Sequence, residues 1–174
     1  MPALRLRRKP VLVVMLLIGV VGALVIARGS LRPQATTTAA VTVPEAFAGT
    51  TYAFDGMACL AAKSVPVTVT SASDSELQGV RTRAAVRPPA APVTVAYPAP
   101  PDAGDPLAGV RVAAGEERCF RVLVTASGTG ERRAGPVEMR VTYGPFGLLR
   151  STLRLTPPVT LQVTGTGTDP RARG

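Results

Sequence analysis

Histidine, asparagine and tryptophan are absent from this 174-residue chain, and each absence narrows what it can do. Without histidine, the chain can build neither a histidine-assisted nucleophile nor a histidine-containing zinc site. Without asparagine, it has no N-glycosylation sequon, and its turns must use glycine, proline and aspartate. Aromatic residues make up only 4% of the chain, so any core beyond the N-terminal region consists mainly of valine and leucine.

Cysteine is also scarce, since Cys59 and Cys119 are the only two. In an oxidising compartment an even pair is most simply a disulfide, and the spacing is far from that of a Cys-x-x-Cys redox or metal motif. Closing a loop of this length stabilises the folded chain by about 4 kcal/mol in the chain-entropy view. We therefore predict a structural disulfide that ties two sheets together and offsets a light core.

Negative charge is limited: 11 Asp and Glu stand against 20 Lys and Arg, for a net charge of +9. Arg5, Arg7, Arg8 and Lys9 precede the first apolar run, and the other cations are scattered among the acids. The favoured interpretation is a solvated, mildly basic surface with no binding role. The alternative is a surface that attracts anionic envelope polymers or lipid headgroups. Nucleic acid is not an expected partner, because no stacking aromatics interleave with the basic residues.

The longest apolar run extends from Val11 to Ala27 and carries no charge. As a helix it would be roughly 25 Å long, at the short end of what a bilayer requires, and residues up to Leu31 can extend it. We predict a transmembrane helix, or signal anchor, that binds the lipid bilayer through residues 11–31. The cations before the run favour a cytoplasmic N-terminus and an extracytoplasmic remainder.

A removable signal peptide is the alternative, with cleavage after Ala27 releasing a secreted soluble binding domain. Val25, Ile26 and Ala27 would suit such a cleavage site. The anchor is preferred because the run is longer than the apolar centre of about 7–15 residues that removable signals have. Under either interpretation, everything after Arg28 lies outside the cytoplasm.

Alternating apolar and polar residues dominate the remainder, as in Val137 to Tyr143 and Val159 to Val163. This period of two predicts strands with one buried and one wet face, and breakers at short intervals favour an all-β sandwich of about eight or nine strands. The predicted strands are 52–61, 65–69, 80–86, 93–97, 109–113, 118–125, 137–143, 148–156 and 159–163. The stretch 143–148 is predicted to be a hairpin loop.

The predicted organisation has five parts. They are a cytoplasmic basic N-terminus (1–10), a transmembrane helix (11–31), a spacer (32–46), an extracytoplasmic β-sandwich (47–164) and a disordered tail (165–174). For the spacer, a first edge strand at Ala39 to Val43 is the alternative interpretation.

One strand poses a register problem. In "RCFRVLVT", Cys119, Arg121 and Leu123 share one face, while the apolar residues between them share the other. Either a bulge intervenes or both faces of this strand are covered.

The strand count, the cysteine spacing and Tyr143 in a late strand resemble a bacterial immunoglobulin-like or fibronectin-like domain over residues 40–164. The resemblance implies a two-sheet sandwich that binds partners through end loops and sheet edges. The chain departs from antibody domains, since it has no tryptophan to pack on the disulfide and Tyr143 does not stand two residues before the second cysteine.

Carboxylates offer weak catalytic or metal candidates. Glu116 and Glu117 are adjacent, so on a strand they point to opposite faces and make a poor acid–base pair. Asp102 and Asp105 lie in a Pro/Gly loop but lack the ligand series of a calcium loop. No catalytic, cofactor-binding or metal-binding residue is expected, and no cofactor.

Two loops are candidate partner contacts. The stretch 127–135 is interpreted as a hairpin loop whose tip presents Arg132 and Arg133 to an anionic partner. In the 144–149 loop, Phe146 either contacts a protein partner or, as we favour, is buried beneath a neighbouring loop. The sequence thus predicts a single-pass, non-catalytic envelope protein with an Ig-like binding or scaffolding domain, whose partner is another envelope protein or an anionic polymer. An envelope enzyme of unknown type ranks last.

Overall fold

A computed structural model of the chain describes residues 13–19, 29–86, 97–99 and 104–166. Residues 13–19 and 29–31 are helical, and strands dominate the rest. The all-β class predicted from the alternation is therefore confirmed. The strands are β1 (Gln34–Thr37), β2 (Val41–Ala48), β3 (Thr51–Ala61), β4 (Val67–Ser73), β5 (Ser75–Leu77), β6 (Val80–Ala85), β7 (Tyr97–Ala99), β8 (Arg111–Val112), β9 (Glu117–Ala126), β10 (Gly130–Arg133), β11 (Val137–Tyr143), β12 (Leu149–Leu155) and β13 (Val159–Thr166).

The first layer is an antiparallel sheet in the order β1-β3-β9-β6-β5. β1 and β7 both pair with the same edge of β3, β1 along Ala58–Ala61 and β7 along Thr51–Ala53. The two long strands β3 and β9 lie at the centre of this sheet and pair along nearly their whole length. They form the frame on which the other strands of the layer are arranged.

Two smaller sheets form the second layer, in the orders β12-β11-β4-β8 and β10-β13-β2. β11 and β12 make an antiparallel hairpin, whereas β13 and β2 pair in parallel. A bulge between Arg140 and Val141 shifts the register of β11 against β4. In the second layer, β2 near the beginning of the domain therefore pairs directly with β13 at its end.

The core lies between the two layers and takes side chains from all three sheets. In β11 the alternation predicted from the sequence is followed closely: Val137, Met139 and Val141 are buried, and Glu138 and Arg140 are exposed. Burying each such side chain contributes roughly 1.5–3 kcal/mol. The largest fully buried side chains are Tyr52, Phe54, Phe120, Leu60, Leu107, Met139 and Leu161.

The centre of the first sheet is covered on both faces. Ten of the eleven residues of β3 are buried. Its outer face carries a second, smaller apolar cluster of Ala53, Ala85 and Leu123. The register problem of β9 is resolved by the second alternative, because both of its faces are covered. The bulge lies in the neighbouring strand β3, after Asp55, and not in β9.

The β5–β6 turn shows how the chain manages without asparagine. Gln78 and Gly79 connect the two strands, and both have positive φ (51° and 74°), as a two-residue hairpin turn of type I′ requires. A Cβ at position 79 would stand 2.5 Å from Ser127 Oγ, which would have to move, and the positive φ itself favours glycine. Glutamine therefore occupies a position that asparagine usually takes.

Several predicted boundaries differ from the observed ones. The segment interpreted as a spacer, 32–46, contains β1 and the start of β2. The stretch 127–135, interpreted as a loop, contains β10, which pairs with β13. The 143–148 hairpin prediction is confirmed, and a 3-10 turn at Pro145–Gly147 forms its tip.

Some predictions fall outside the described residues. Residues 1–12, 20–28, 87–96, 100–103 and 167–174 are not described, so most of the membrane segment, Asp102, residues 93–96 and most of the tail remain predictions. Among the described residues, no helix is long and apolar enough to cross a membrane.

Candidate functional site

The predicted disulfide is present, but not where the sequence suggested. Cys59 of β3 and Cys119 of β9 are bonded, with their Cα atoms 3.9 Å apart. They are direct partners on neighbouring strands of the first sheet. The expectation that the bridge ties two sheets together was therefore wrong, because sequence separation alone does not reveal which strands are neighbours.

A buried ion pair lies on the same face of the same two strands. Arg121 donates from Nε to Asp55 Oδ1 at 2.8 Å and from Nη2 to Oδ2 at 2.9 Å. The Asp55 side chain is completely buried and that of Arg121 is 7% exposed. This pair was not predicted from the sequence, although a lone arginine inside an apolar strand was the available signal.

Local geometry aligns the ion pair and the disulfide. Asp55 opposes Arg121 and Cys59 opposes Cys119, while Gly56 and Met57 bulge out between them. Gly56 has a φ of 78°, which favours glycine. Because two extra residues preserve the alternation of faces, both cross-strand links stay on the outer side of the sheet. A bidentate pair enclosed in this way indicates a structural role for Asp55.

Arg132 and Arg133 lie in β10, on an edge of the second layer, rather than at a loop tip. Arg133 donates from Nε and Nη2 to Glu131 Oε1 at 3.0 and 2.9 Å. Arg132 is half-buried. The pair therefore does not form the exposed, uncompensated basic tip that the sequence suggested, although its role as a partner contact stays a prediction.

Phe146 is 97% exposed on the β11–β12 turn, and Leu148 on the same loop is 77% exposed. The favoured expectation, burial of Phe146 beneath a neighbouring loop, is contradicted. β11 separates this loop from the end of β10, and its seven residues extend roughly 20 Å. The structure therefore places Phe146 and the Arg132–Arg133 pair at opposite ends of the second layer.

Glu116 and Glu117 both use their carboxylates in hydrogen bonds within the domain. Glu117 Oε1 accepts a hydrogen bond from Thr36 Oγ1 at 2.9 Å, and Glu116 Oε2 accepts one from the Ala113 amide at 3.4 Å. Asp105 accepts from the Val86 amide through its backbone oxygen. Within the described ranges, no group of three or more cysteine and acidic side chains could hold a metal ion.

A basic surface that was not predicted from the sequence covers the outside of β12, β11 and β4. Arg140 and Arg150 line an open depression of about 600 Å³ there, together with hydroxyl side chains. We call this surface the basic face; its other lining residues are Thr70, Ser71, Val141, Thr142, Ser151 and Thr152. The signal in the sequence was the alternation itself, since arginine and threonine fill its polar positions.

The pairing of β11 with β12 determines where the arginines of the basic face lie. Arg140 opposes Thr152 and Thr142 opposes Arg150, so each arginine has a hydroxyl neighbour across the strand pair. Within the described chain, neither Arg140 nor Arg150 forms an ion pair. Thr70 Oγ1 donates to the Arg140 backbone oxygen at 3.0 Å, which fixes the strands beneath the depression.

Flanking residues extend this charge. Arg154 and Arg111 are exposed on the same sheet, opposite Glu138 and Thr68 respectively. The exposed face of this sheet therefore carries four arginines and one acidic side chain, Glu138. Guanidinium groups bind carboxylates and phosphates in bidentate fashion, and hydroxyl groups exchange hydrogen bonds with polyols. The basic face is suited to a ligand that combines both chemistries.

Comparisons with known proteins give little guidance. No family model matches the sequence, and no curated protein matches it. Among solved structures, the chain is similar to the Vibrio cholerae VesB protease, with 14% identity and a TM-score of 0.42. The similarity covers 79% of this chain and 34% of that protease, so the chain corresponds to about a third of its length. A likeness this distant carries no functional argument.

Proposed function

We propose that this chain is a single-pass, membrane-anchored envelope protein whose non-catalytic, Ig-like outer domain binds an acidic polysaccharide. The observation that carries the proposal is the basic face, where Arg140 and Arg150 share an open depression with threonine and serine hydroxyls. A polysaccharide bearing carboxylate or phosphate groups supplies acceptors for the arginines and hydroxyl partners for the threonines and serines. Under this proposal, the anionic envelope polymer predicted from composition is a sugar-based one.

The strand order supports an Ig-like topology. Immunoglobulin constant-type domains arrange strands A, B, E and D in one sheet and C, F and G in the other. Taken in chain order, β1, β3, β4, β6, β9, β11 and β12 correspond to strands A to G. The observed orders β1-β3-β9-β6 and β4-β11-β12 then reproduce both sheets, and the remaining strands are additions. The disulfide departs from the antibody pattern, because it joins the equivalents of B and E.

The N-terminal segment supports anchoring. Six consecutive apolar side chains, Val13 to Ile18, are each between 54% and 68% exposed. A helix that is apolar on all sides and covered by no part of its own domain is suited to a lipid environment. With four cations before it, the positive-inside rule places the β-domain outside the cytoplasm.

The binding proposal is tested with the full-length protein in phosphatidylcholine nanodiscs, polygalacturonate as the probe and neutral dextran as the comparison ligand. Binding to polygalacturonate, weakening as salt rises, is expected. The double variant Arg140→Gln/Arg150→Gln loses two charge-assisted contacts and should bind at least about tenfold more weakly.

Arg81→Gln/Arg118→Gln is the matched control. It removes the same net charge from two exposed arginines on β6 and β9 of the first sheet, away from the basic face. Near-normal binding of the control is expected. An equal loss in both double variants would show that net charge alone attracts the polymer, and failure of the unsubstituted protein to bind would reject the proposal.

Anchoring is tested separately by sequencing the N-terminus of the protein isolated from membranes. The expected result is an intact N-terminal segment that resists extraction at high salt. A mature chain beginning at Arg28 would replace the anchor with the secreted alternative.

A further inference from the structure

The β11–β12 loop presents two large apolar side chains to solvent. Outside the N-terminal helix, the described residues expose three such side chains, and two of them, Phe146 and Leu148, are on this one loop; the third is Leu77. Phe146 has a φ of 58°, a backbone region that bulky residues avoid. The chain therefore holds an exposed phenylalanine in an unfavourable conformation, with no core packing to compensate for it.

This loop lies at the end of the domain where the N-terminal segment enters. Gly29 and Arg32 line a small pocket together with Tyr143, Arg150 and Ser151. Phe146 follows Tyr143 by three residues, so it lies within about 11 Å of that pocket wall. Residues 29–31 are helical and follow the apolar run that ends at Ala27. The exposed apolar side chains are thus close to the point at which the chain would leave the bilayer.

Charge at this end of the domain favours an anionic surface. Arg32 and Lys63 line one further pocket, and Arg32 and Arg150 share the one beside Tyr143. Glu116 and Glu117 are also at this end, and their carboxylates accept hydrogen bonds from the Ala113 amide and Thr36. Exposed apolar side chains flanked by free-standing cations are typical of segments that bind the membrane interface.

We propose that the β11–β12 loop inserts Phe146 and Leu148 into the outer interface of the bilayer that holds the N-terminal helix. Arg32 and Lys63 then lie at the level of the lipid phosphates. This second contact attaches the domain to the membrane at two places instead of one. The inference rests on the anchoring part of the proposed function.

The absence of tryptophan makes a direct test possible, because any introduced tryptophan is the sole one in the chain. Three single variants of the full-length protein are reconstituted in phosphatidylcholine vesicles that contain phosphatidylglycerol and lipids with brominated acyl chains. Phe146→Trp probes the loop, Leu16→Trp probes the anchor, and Leu77→Trp probes an exposed apolar site on β5 at the other end of the domain. Phe146 and Leu77 are exposed, so neither replacement disturbs the core.

The expected result is a blue-shifted emission, quenched by the brominated lipids, at positions 16 and 146 but not at 77. Adding Arg32→Gln and Lys63→Gln to Phe146→Trp should reduce the quenching at position 146 while leaving that at position 16 unchanged. Quenching at 16 with solvent-like emission at 146 would overturn the membrane contact and leave the anchor intact. No quenching at 16 would overturn the anchor itself, and the inference with it.

Discussion

The two layers of the sandwich use the same residue types in opposite ways. In the first sheet, the central strands β3 and β9 are covered on both faces, and arginine, aspartate and cysteine on the outer face are joined in pairs. On the second layer, arginines and threonines on the outer face are exposed and surround an open depression. Burial thus decides whether a polar side chain contributes to stability or is available to a ligand.

The largest contrast is expected between two arginines. Arg121→Ala leaves Asp55 buried without its bidentate partner, which should lower the free energy of unfolding by about 3–5 kcal/mol. Arg140→Ala removes an exposed side chain of the second layer and should change it by no more than about 0.5 kcal/mol. Urea denaturation of both variants measures the difference, and similar losses would contradict the contrast between the layers.

The disulfide gives the next largest effect. Cys59→Ser and Cys119→Ser should each lower the free energy of unfolding by about 2–4 kcal/mol, and the double variant should lose little more than either single one. A shared bond explains such non-additivity, because the first substitution already breaks it. Full additivity in chemical denaturation would rule out a common bridge.

A pair of threonines tests the same contrast with a neutral side chain. Thr82 is fully buried in the first sheet, and its Oγ1 accepts a hydrogen bond from the Gly135 amide at 2.9 Å. Thr82→Val leaves that amide unsatisfied and should cost about 1–3 kcal/mol. The matched control Thr152→Val, on the exposed side of β12, should stay within about 0.5 kcal/mol. An equal cost for both would show that the Thr82 hydrogen bond adds nothing.

The smallest effect concerns ion pairs at the surface. The bond between Arg133 and Glu131, at 2.9 Å, is nearly as short as the 2.8 Å bond between Arg121 and Asp55, but its side chains are 79% and 48% exposed. Glu131→Gln should therefore change the free energy of unfolding by less than about 1 kcal/mol, and the change should vanish in high salt. A loss that persists in high salt would indicate that exposure does not set the strength of these pairs.

The same contrast explains what the sequence could predict. The strands 137–143 and 159–163 were located closely, because one wet face leaves a period of two in the residue pattern. In β3 and β9 both faces are covered, so the pattern blurs and the polar residues of the outer face were not interpreted as partners. The short strands β1, β5 and β10 contain too few apolar residues to be distinguished from turns.

The candidate sites also depend on tertiary structure that the sequence pattern does not reveal. Pairing of Cys59 with Cys119 was predictable by elimination, but their membership in one sheet depends on strand order, which the sequence does not contain. The exposure of Phe146 depends on which loops lie beside it, a tertiary property. The basic face was overlooked because its arginines are dispersed in sequence and come together only when β12, β11 and β4 align.

The parallel pairing of β2 with β13 has a mechanical consequence. The chain enters the sandwich through the strands at its beginning and leaves through β13, whose last residue, Thr166, lies beside the end of β2 at Ala48. A pull between the two ends of the domain therefore drags these neighbouring strands past each other. Their hydrogen bonds are then loaded together in shear instead of breaking one after another.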